Sequence, residues 1–168
     1  GILELLNSWA EINPKNWILK IYGPVSDNNY MKKIKEQILN LSLNNSIEVF
    51  EPVFEYDEKE KIFLNSDCFL LPSKSENFGM SIVEALSYGV PVLTTEETPW
   101  KILKEINAGK IIKFSQDNLT SNLRDMLSMS SQDLSLMGLR GKKFLKDHYD
   151  IENIILDYIK FYEEVLRK

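Results

Sequence analysis

The segments DCFLLPS (67–73) and PVLTT (91–95) constrain the fold more than any other feature of this sequence. Both are short and largely apolar, with a proline near one end. A run without polar alternation has no face to offer water, which predicts a strand covered on both sides. Pro91 fits at a strand entry, where no ladder donor is needed. Between the two runs, Met80 to Tyr88 carries apolar residues at helical spacing, and Gly89 supplies a natural C-terminal stop. A two-sided strand, a helix and a second two-sided strand make a βαβ unit, whose strands pair in parallel.

The alternation continues on either side. Helical spacing predicts helices over 3–12, 30–41, 57–65, 99–106, 118–128, 131–147 and 151–167. In the third of these, Ile62 and Phe63 are the expected buried pair, and the last is amphipathic through Ile154, Ile155, Tyr158, Ile159, Tyr162 and Val165. WILKIYG (17–23), SIEVFEPV (46–53) and GKIIKF (109–114) predict strands. Right-handed crossovers then give an α/β fold with a Rossmann-like, doubly wound parallel sheet. In such sheets ligands bind beyond the carboxyl ends of the strands, the edge from which the loop Pro72 to Gly79 emerges.

Composition narrows the function. The chain has 168 residues, room for a real core and for a single domain spanning 1–168. Its net charge of −5 leaves no broad positive surface of the kind that non-specific nucleic-acid binding requires. Cys68 is the sole cysteine, which excludes an internal disulfide and fits a reducing compartment; its apolar setting predicts a structural thiol. No apolar stretch is long enough to cross a bilayer, and no secretory leader is evident. His148 reads as a surface residue, and Asp57-Glu58-Lys59-Glu60 as a solvated helix start. No cluster of metal-ligand spacing stands out, so no metal is expected.

The chemistry concentrates in SKSENFGMSIVEALSYGVPVLTT (73–95). A helix beginning near Gly79 leaves amides unpaired in its first turn, and with the dipole these suit a phosphate. Gly79 lets the backbone approach a ligand, while Met80 and Ser81 present amides. Glu84, further along the helix, can accept hydrogen bonds from a vicinal diol such as a ribose. Glu76, ahead of the helix, can accept from sugar hydroxyls or stabilise positive charge at a reacting carbon. Plain readings fit the same spacing: Glu76 as an acid near a helix start, Glu84 as the polar face of an apolar helix, Ser73 and Ser75 as turn or cap residues.

The whole segment resembles the hallmark stretch of retaining, nucleotide-sugar-dependent glycosyltransferases of the two-domain GT-B type, the group 1 or family 4 kind. Many bacterial polysaccharide and lipopolysaccharide glycosyltransferases belong to that group. Strand, Pro-Ser, Glu, Phe-Gly, helix with a second Glu, then Gly-x-Pro and a strand all occur in order. The similarity extends to WILKIYG, with Gly23 as the glycine near the nucleotide, and to IEVFEPV, TPWKIL, AGKIIKF and the closing helix. It implies that Glu76 is catalytic and that Asn77, Phe78 and Gly79 line the sugar pocket. It further implies that Met80 and Ser81 hold the diphosphate and Glu84 the ribose. The implied reaction moves a sugar from a UDP- or GDP-sugar to an acceptor hydroxyl with retention. No cofactor beyond that donor is implied, and the implied location is the cytoplasm, at the inner membrane face for some such enzymes.

Two departures qualify the match. Asn77 stands where the family more often has Gly, a tolerable change whose expected effect is on sugar choice. The family's second half also opens with a strand followed by an Arg and a Lys that neutralise the leaving diphosphate. Gly1 to Trp9 resembles the helix entered after them. The expectation is therefore a C-terminal, donor-binding half that lacks its first strand and its N-terminal acceptor-binding domain. Nothing in the spacing of Lys20, Lys101 or Lys104 places them at the phosphates, and the chain alone is expected to be inactive. The alternatives are a non-catalytic nucleotide-binding or partner-docking module on the same fold, a glycosyl phosphorylase and a nucleotide-sugar epimerase. A single histidine argues against the epimerase, and the lack of a pyridoxal-lysine motif against the phosphorylase.

Overall fold

The computed structural model describes residues 1–166. Helices and strands alternate in the order α1 (Ile2–Ile12), β1 (Leu19–Tyr22), α2 (Asn28–Asn40), β2 (Ile47–Phe50), α3 (Tyr56–Leu64), β3 (Phe69–Leu71), α4 (Met80–Ser87), β4 (Val92–Thr95), α5 (Ile102–Glu105) and β5 (Gly109–Ile112). Three helices follow: α6 (Gln116–Leu127), α7 (Ser131–Tyr149) and α8 (Ile151–Leu166). Side-chain caps place several of the starts. Asp27 accepts from the Asn29 amide at 2.8 Å, which begins α2 two residues ahead of the apolar periodicity. Ser115 and Ser130 accept from the Asn118 and Asp133 amides in the same way.

All strand pairing is parallel, as the alternation predicts, but the sheet is divided. β1 pairs with β2, and β3 pairs with β4, which pairs with β5. β1 and β3 do not meet. Helices cover two faces. Leu5, Leu6 and Trp9 of α1 join Ile34 and Ile38 of α2 and Leu119, Leu123 and Met126 of α6 in one core. Ile82, Ala85 and Leu86 of α4 join Trp100, Leu103 and Leu145 in the other. β4 lies between them with all four residues buried.

Two expectations of burial fail at the division. DCFLLPS reads as a strand covered on both faces, yet Phe69, Leu70 and Leu71 are each only half-buried. Ile62 and Phe63 are half-buried too, and α3 has no buried residue. The reason is the same for both. Burial depends on neighbours, and β3 has a partner on one side alone. Along α8, Ile155, Tyr158, Ile159, Tyr162 and Val165 are exposed; the side chain of Ile154 and residue 167 lie outside what is described.

Close helix packing fixes α4 in place. A Cβ on Gly138 of α7 would collide with the carbonyl oxygen of Gly89, and one on Gly141 would collide with Leu86. At the other end of β3, Lys74 reaches across to α1 and binds Glu4 at 2.6 Å. The hydrogen bond from Lys74 holds the Glu4 carboxyl below its ordinary value of 4.5. A depressed carboxylate contributes stability that is present above its unfolded value and lost as pH falls through its folded value. The stability difference between wild type and Lys74→Met is therefore expected to be level around neutral pH and to shrink as pH falls below 4.5. Urea titrations across that range measure it.

Candidate donor-binding site

The loop after β3 is built by backbone clamps that come from β4. Thr94 Oγ1 donates to the Leu71 carbonyl at 2.8 Å and Thr95 Oγ1 to the Ser73 carbonyl at 2.6 Å. Trp100 Nε1 donates to the Phe78 carbonyl at 2.6 Å, and its ring meets that of Phe78 edge-on. This clamp was not foreseen from the sequence: two hydroxyls at the end of an apolar strand need partners once buried, but nothing in the sequence says which. The loop is thereby held at both ends while Asn77 and Phe78 stay exposed.

Gly79 caps α4 with φ 80°, a left-handed conformation that an L side chain rarely adopts. A Cβ there would also stand 3.1 Å from Ile82 Cδ1. The Gly79 carbonyl takes the Ile82 amide at 2.8 Å. The amides of Met80 and Ser81 have no hydrogen-bond partner among the described residues. They are the free donors of the first turn, at the positive end of the helix dipole.

A cleft of about 870 Å³ opens between β1 and β3 and runs the length of both strands, from Asn16 and Ser66 at their amino ends to Gly23 and Ser73 at their carboxyl ends. Gly23, Ser73, Ser81 and Glu84 line it. Gly23 and Ser73 follow the carboxyl ends of β1 and β3, the edge at which open α/β sheets bind ligands, and Glu84 shares the cleft with them. A Cβ on Gly23 would meet nothing within 4 Å, so the backbone there is open to the cleft. Glu76, Asn77, Phe78, Gly79 and Met80 do not line this cleft. They sit beside it, on the loop and at the α4 start. Glu76 is half-buried, with Ser73 Oγ 3.4 Å from its Oε2.

One sequence reading needs correction. Lys59 does not belong to a solvated helix start; it crosses from α3 and donates to Glu84 Oε1 at 2.8 Å. Both side chains are about one-third exposed. No local pattern ties α3 to α4, and the pair exists only because the two helices meet over β3. Beside it, a hydrogen bond with Tyr56, burial, and the charges of Glu60 and Glu84 push the Tyr88 hydroxyl up to about 12. Other readings of plain residues hold. His148 is exposed and packs on Phe144. Burial, with Asp67 adding to it, pushes the Cys68 thiol up to about 12, which keeps it protonated and unreactive at neutral pH. Among the described residues no group of three or more His, Cys, Asp or Glu could hold a metal ion.

Residues 1–143 match the glycosyl transferases group 1 family. This chain belongs to that family. It is 25% identical over 112 residues to the O-antigen biosynthesis glycosyltransferase WclY of Escherichia coli, which covers 67% of this chain and 31% of WclY. A glycosyltransferase from Rickettsia africae superimposes with a TM-score of 0.86 over 100% of this chain and 45% of its own, at 18% identity. Anabaena HepE, solved with UDP and glucose, superimposes with a TM-score of 0.81 over 96% of this chain and 44% of its own, at 18% identity. The fold is that of a Rossmann-like domain of a GT-B glycosyltransferase. The chain spans about a third of the length of WclY and under half of the two solved enzymes.

Proposed function

We propose that this chain is the C-terminal, donor-binding half of a retaining hexosyltransferase that builds a bacterial surface polysaccharide or lipopolysaccharide. The observation that carries the reading is the juxtaposition at the cleft. The free amides of Met80 and Ser81 and the carboxylate of Glu84 stand on one helix, with Ser81 and Glu84 both facing the cleft. Amides at a helix start suit a diphosphate, and a carboxylate beyond them suits a ribose diol. The UDP bound by HepE and the O-antigen role of WclY support this choice of ligand and pathway class.

In this scheme the donor lies with its diphosphate on the α4 start and its ribose on Glu84. Lys59 occupies Glu84 Oε1 and orients the carboxylate, leaving Oε2 for the diol. Gly23 lets the nucleotide approach β1. Asn77, Phe78 and Gly79 line the sugar pocket, and Glu76 supports positive charge developing at the anomeric carbon as the diphosphate departs. The leaving diphosphate needs cations, which the scheme takes from a segment ahead of α1. The N-terminal acceptor domain of the same polypeptide supplies the acceptor hydroxyl and any contact with the inner membrane face. Transfer by this chain alone is expected to be nil. Nucleotide sugars are made in the cytoplasm, so the proposed site of action is there. Among the described residues no helix is long and apolar enough to cross a membrane.

Calorimetry on the complete polypeptide encoded around this chain tests the reading, with UDP, GDP and inorganic pyrophosphate as titrants. Glu84→Gln is expected to weaken nucleoside diphosphate binding by about 10–100-fold, the worth of a hydrogen bond to a charged group. Pyrophosphate binding should be unchanged, because Glu84 does not touch it. Equal loss for both titrants, or for neither, overturns the assignment of Glu84. Binding without transfer would favour the non-catalytic module.

A further inference from the structure

α7 runs antiparallel to α4 and reaches the loop that leads into it. Gly138 of α7 lies against the Gly89 carbonyl, just past the end of α4, and Gly141 lies against Leu86. Further along α7 its last residue, Tyr149, meets Phe78, just ahead of the α4 start. α4 has 8 residues, a length of about 12 Å. The same rise carries α7 from Gly141 to Tyr149. α7 is therefore a strut that is fixed at the far end of α4 and ends beside the proposed sugar pocket. Asp150 leaves the helix at ψ 127°, so the chain turns away directly after Tyr149.

Phe78, Trp100 and Tyr149 form a triangle of rings. Their centroids are 5.5 Å apart for Phe78 and Trp100, 6.5 Å for Phe78 and Tyr149, and 5.9 Å for Trp100 and Tyr149. Phe144, earlier on α7, meets Tyr149 at 6.1 Å and backs its ring. All these separations lie in the range that aromatic pairs favour. Trp100 is buried, while Phe78 is 39% exposed and Tyr149 44%. The indole of Trp100 fixes the Phe78 carbonyl, but a bond to the backbone does not fix the Phe78 side chain. That half-open ring is held between two others, and Tyr149 is the one that arrives from a distant helix.

We propose that Tyr149 is a positioning residue for the sugar half of the donor, its ring setting the place of Phe78 and so the shape of the wall that the sugar meets. The inference rests on the proposed placement of Asn77, Phe78 and Gly79 around that sugar. Tyr149 touches the loop and its clamp through its ring, so the ring and not the hydroxyl carries the role. The nucleotide half is separate: Gly23, Ser81 and Glu84 line the cleft, and Phe78 and Tyr149 do not.

Calorimetry on the complete polypeptide separates the two halves. UDP, GDP, UDP-glucose, UDP-galactose, UDP-N-acetylglucosamine and GDP-mannose are the titrants, and the nucleotide sugar bound most tightly is carried forward. Tyr149→Ala is expected to weaken that nucleotide sugar by about tenfold, the worth of two aromatic pairs, and its nucleoside diphosphate by less than about twofold. Tyr149→Phe keeps the ring and should restore both values. In a Phe78→Ala background Tyr149→Ala should add nothing, because the two side chains act as one unit. A purely structural role would lower the melting temperature or the bound stoichiometry and treat both ligands alike. Tyr149→Leu, which keeps apolar bulk without a ring, replaces the Ala variant if that protein unfolds. Equal loss for both ligands, no loss, loss that Phe does not restore, or loss that adds to that of Phe78→Ala overturns the proposal. The donor-binding reading survives each of these as long as Phe78→Ala itself weakens the nucleotide sugar alone. If Phe78→Ala changes nothing, or no titrant binds, that reading has failed and the proposal falls with it.

Discussion

Glu76→Gln in the complete polypeptide is expected to lower sugar transfer by about 10²–10³-fold. Nucleoside diphosphate affinity should stay within about twofold, because Glu76 does not line the cleft. The physical ground is placement. Thr95 and Trp100 hold the backbone at Ser73 and Phe78, so the Glu76 carboxylate is presented by a loop tied down at both ends. A fixed negative charge there costs no reorganisation when positive charge develops at a sugar carbon, and Gln keeps the shape while removing the charge. Glu76 is half-buried and its hydrogen bond from Ser73 Oγ is a long 3.4 Å. The substitution should therefore leave the fold intact, which thermal unfolding checks. Equal loss of affinity and rate would make Glu76 a residue of uniform binding, and an unchanged rate would remove it from the chemistry.

Gly138→Val is expected to be the most destabilising single change in the α4 region, costing about 1–3 kcal/mol. That lowers the melting temperature by roughly 2–4 °C for each kcal/mol in a domain of this size. The Cβ would collide with the Gly89 carbonyl oxygen and would stand 3.1 Å from Pro91 Cδ. Neither obstacle is the end of a flexible side chain. Gly89 is itself at φ 77°, so the turn that links α4 to β4 has little freedom to move aside. Displacing α4 would shift the Met80 and Ser81 amides with it, and nucleotide affinity should fall in step with stability. Gly23→Ala is the matched control for stability alone, since a Cβ there meets nothing within 4 Å and the fold should tolerate it. A stable Gly138→Val protein would show that α7 can slide along α4.

The helical and strand elements were legible because their signals are local. The Asn28–Asn40 and Gln116–Leu127 helices follow from apolar spacing closed by an Asp or Ser cap. The parallel pairing of β3 with β4 follows from two short apolar runs separated by a helix. Much of the candidate site was legible for the same reason, since Glu76, Gly79, Ser81 and Glu84 fall within one continuous segment. The clamp from Thr94, Thr95 and Trp100 and the Lys59–Glu84 pair were not, as each joins residues at least twenty positions apart that no periodicity connects.

By itself the sequence determined the parallel α/β plan, the helix that opens at Gly79 and the acidic residues around it. These depend on backbone preference and apolar period, which a short stretch carries within itself. The tertiary structure alone decided that the sheet is divided, that Phe69, Leu70 and Leu71 are only half-buried, and that Lys59 holds Glu84. Burial and ion pairing are properties of what lies alongside, and a strand composed for two covered faces and two paired edges remains half-buried wherever one neighbour is not in place.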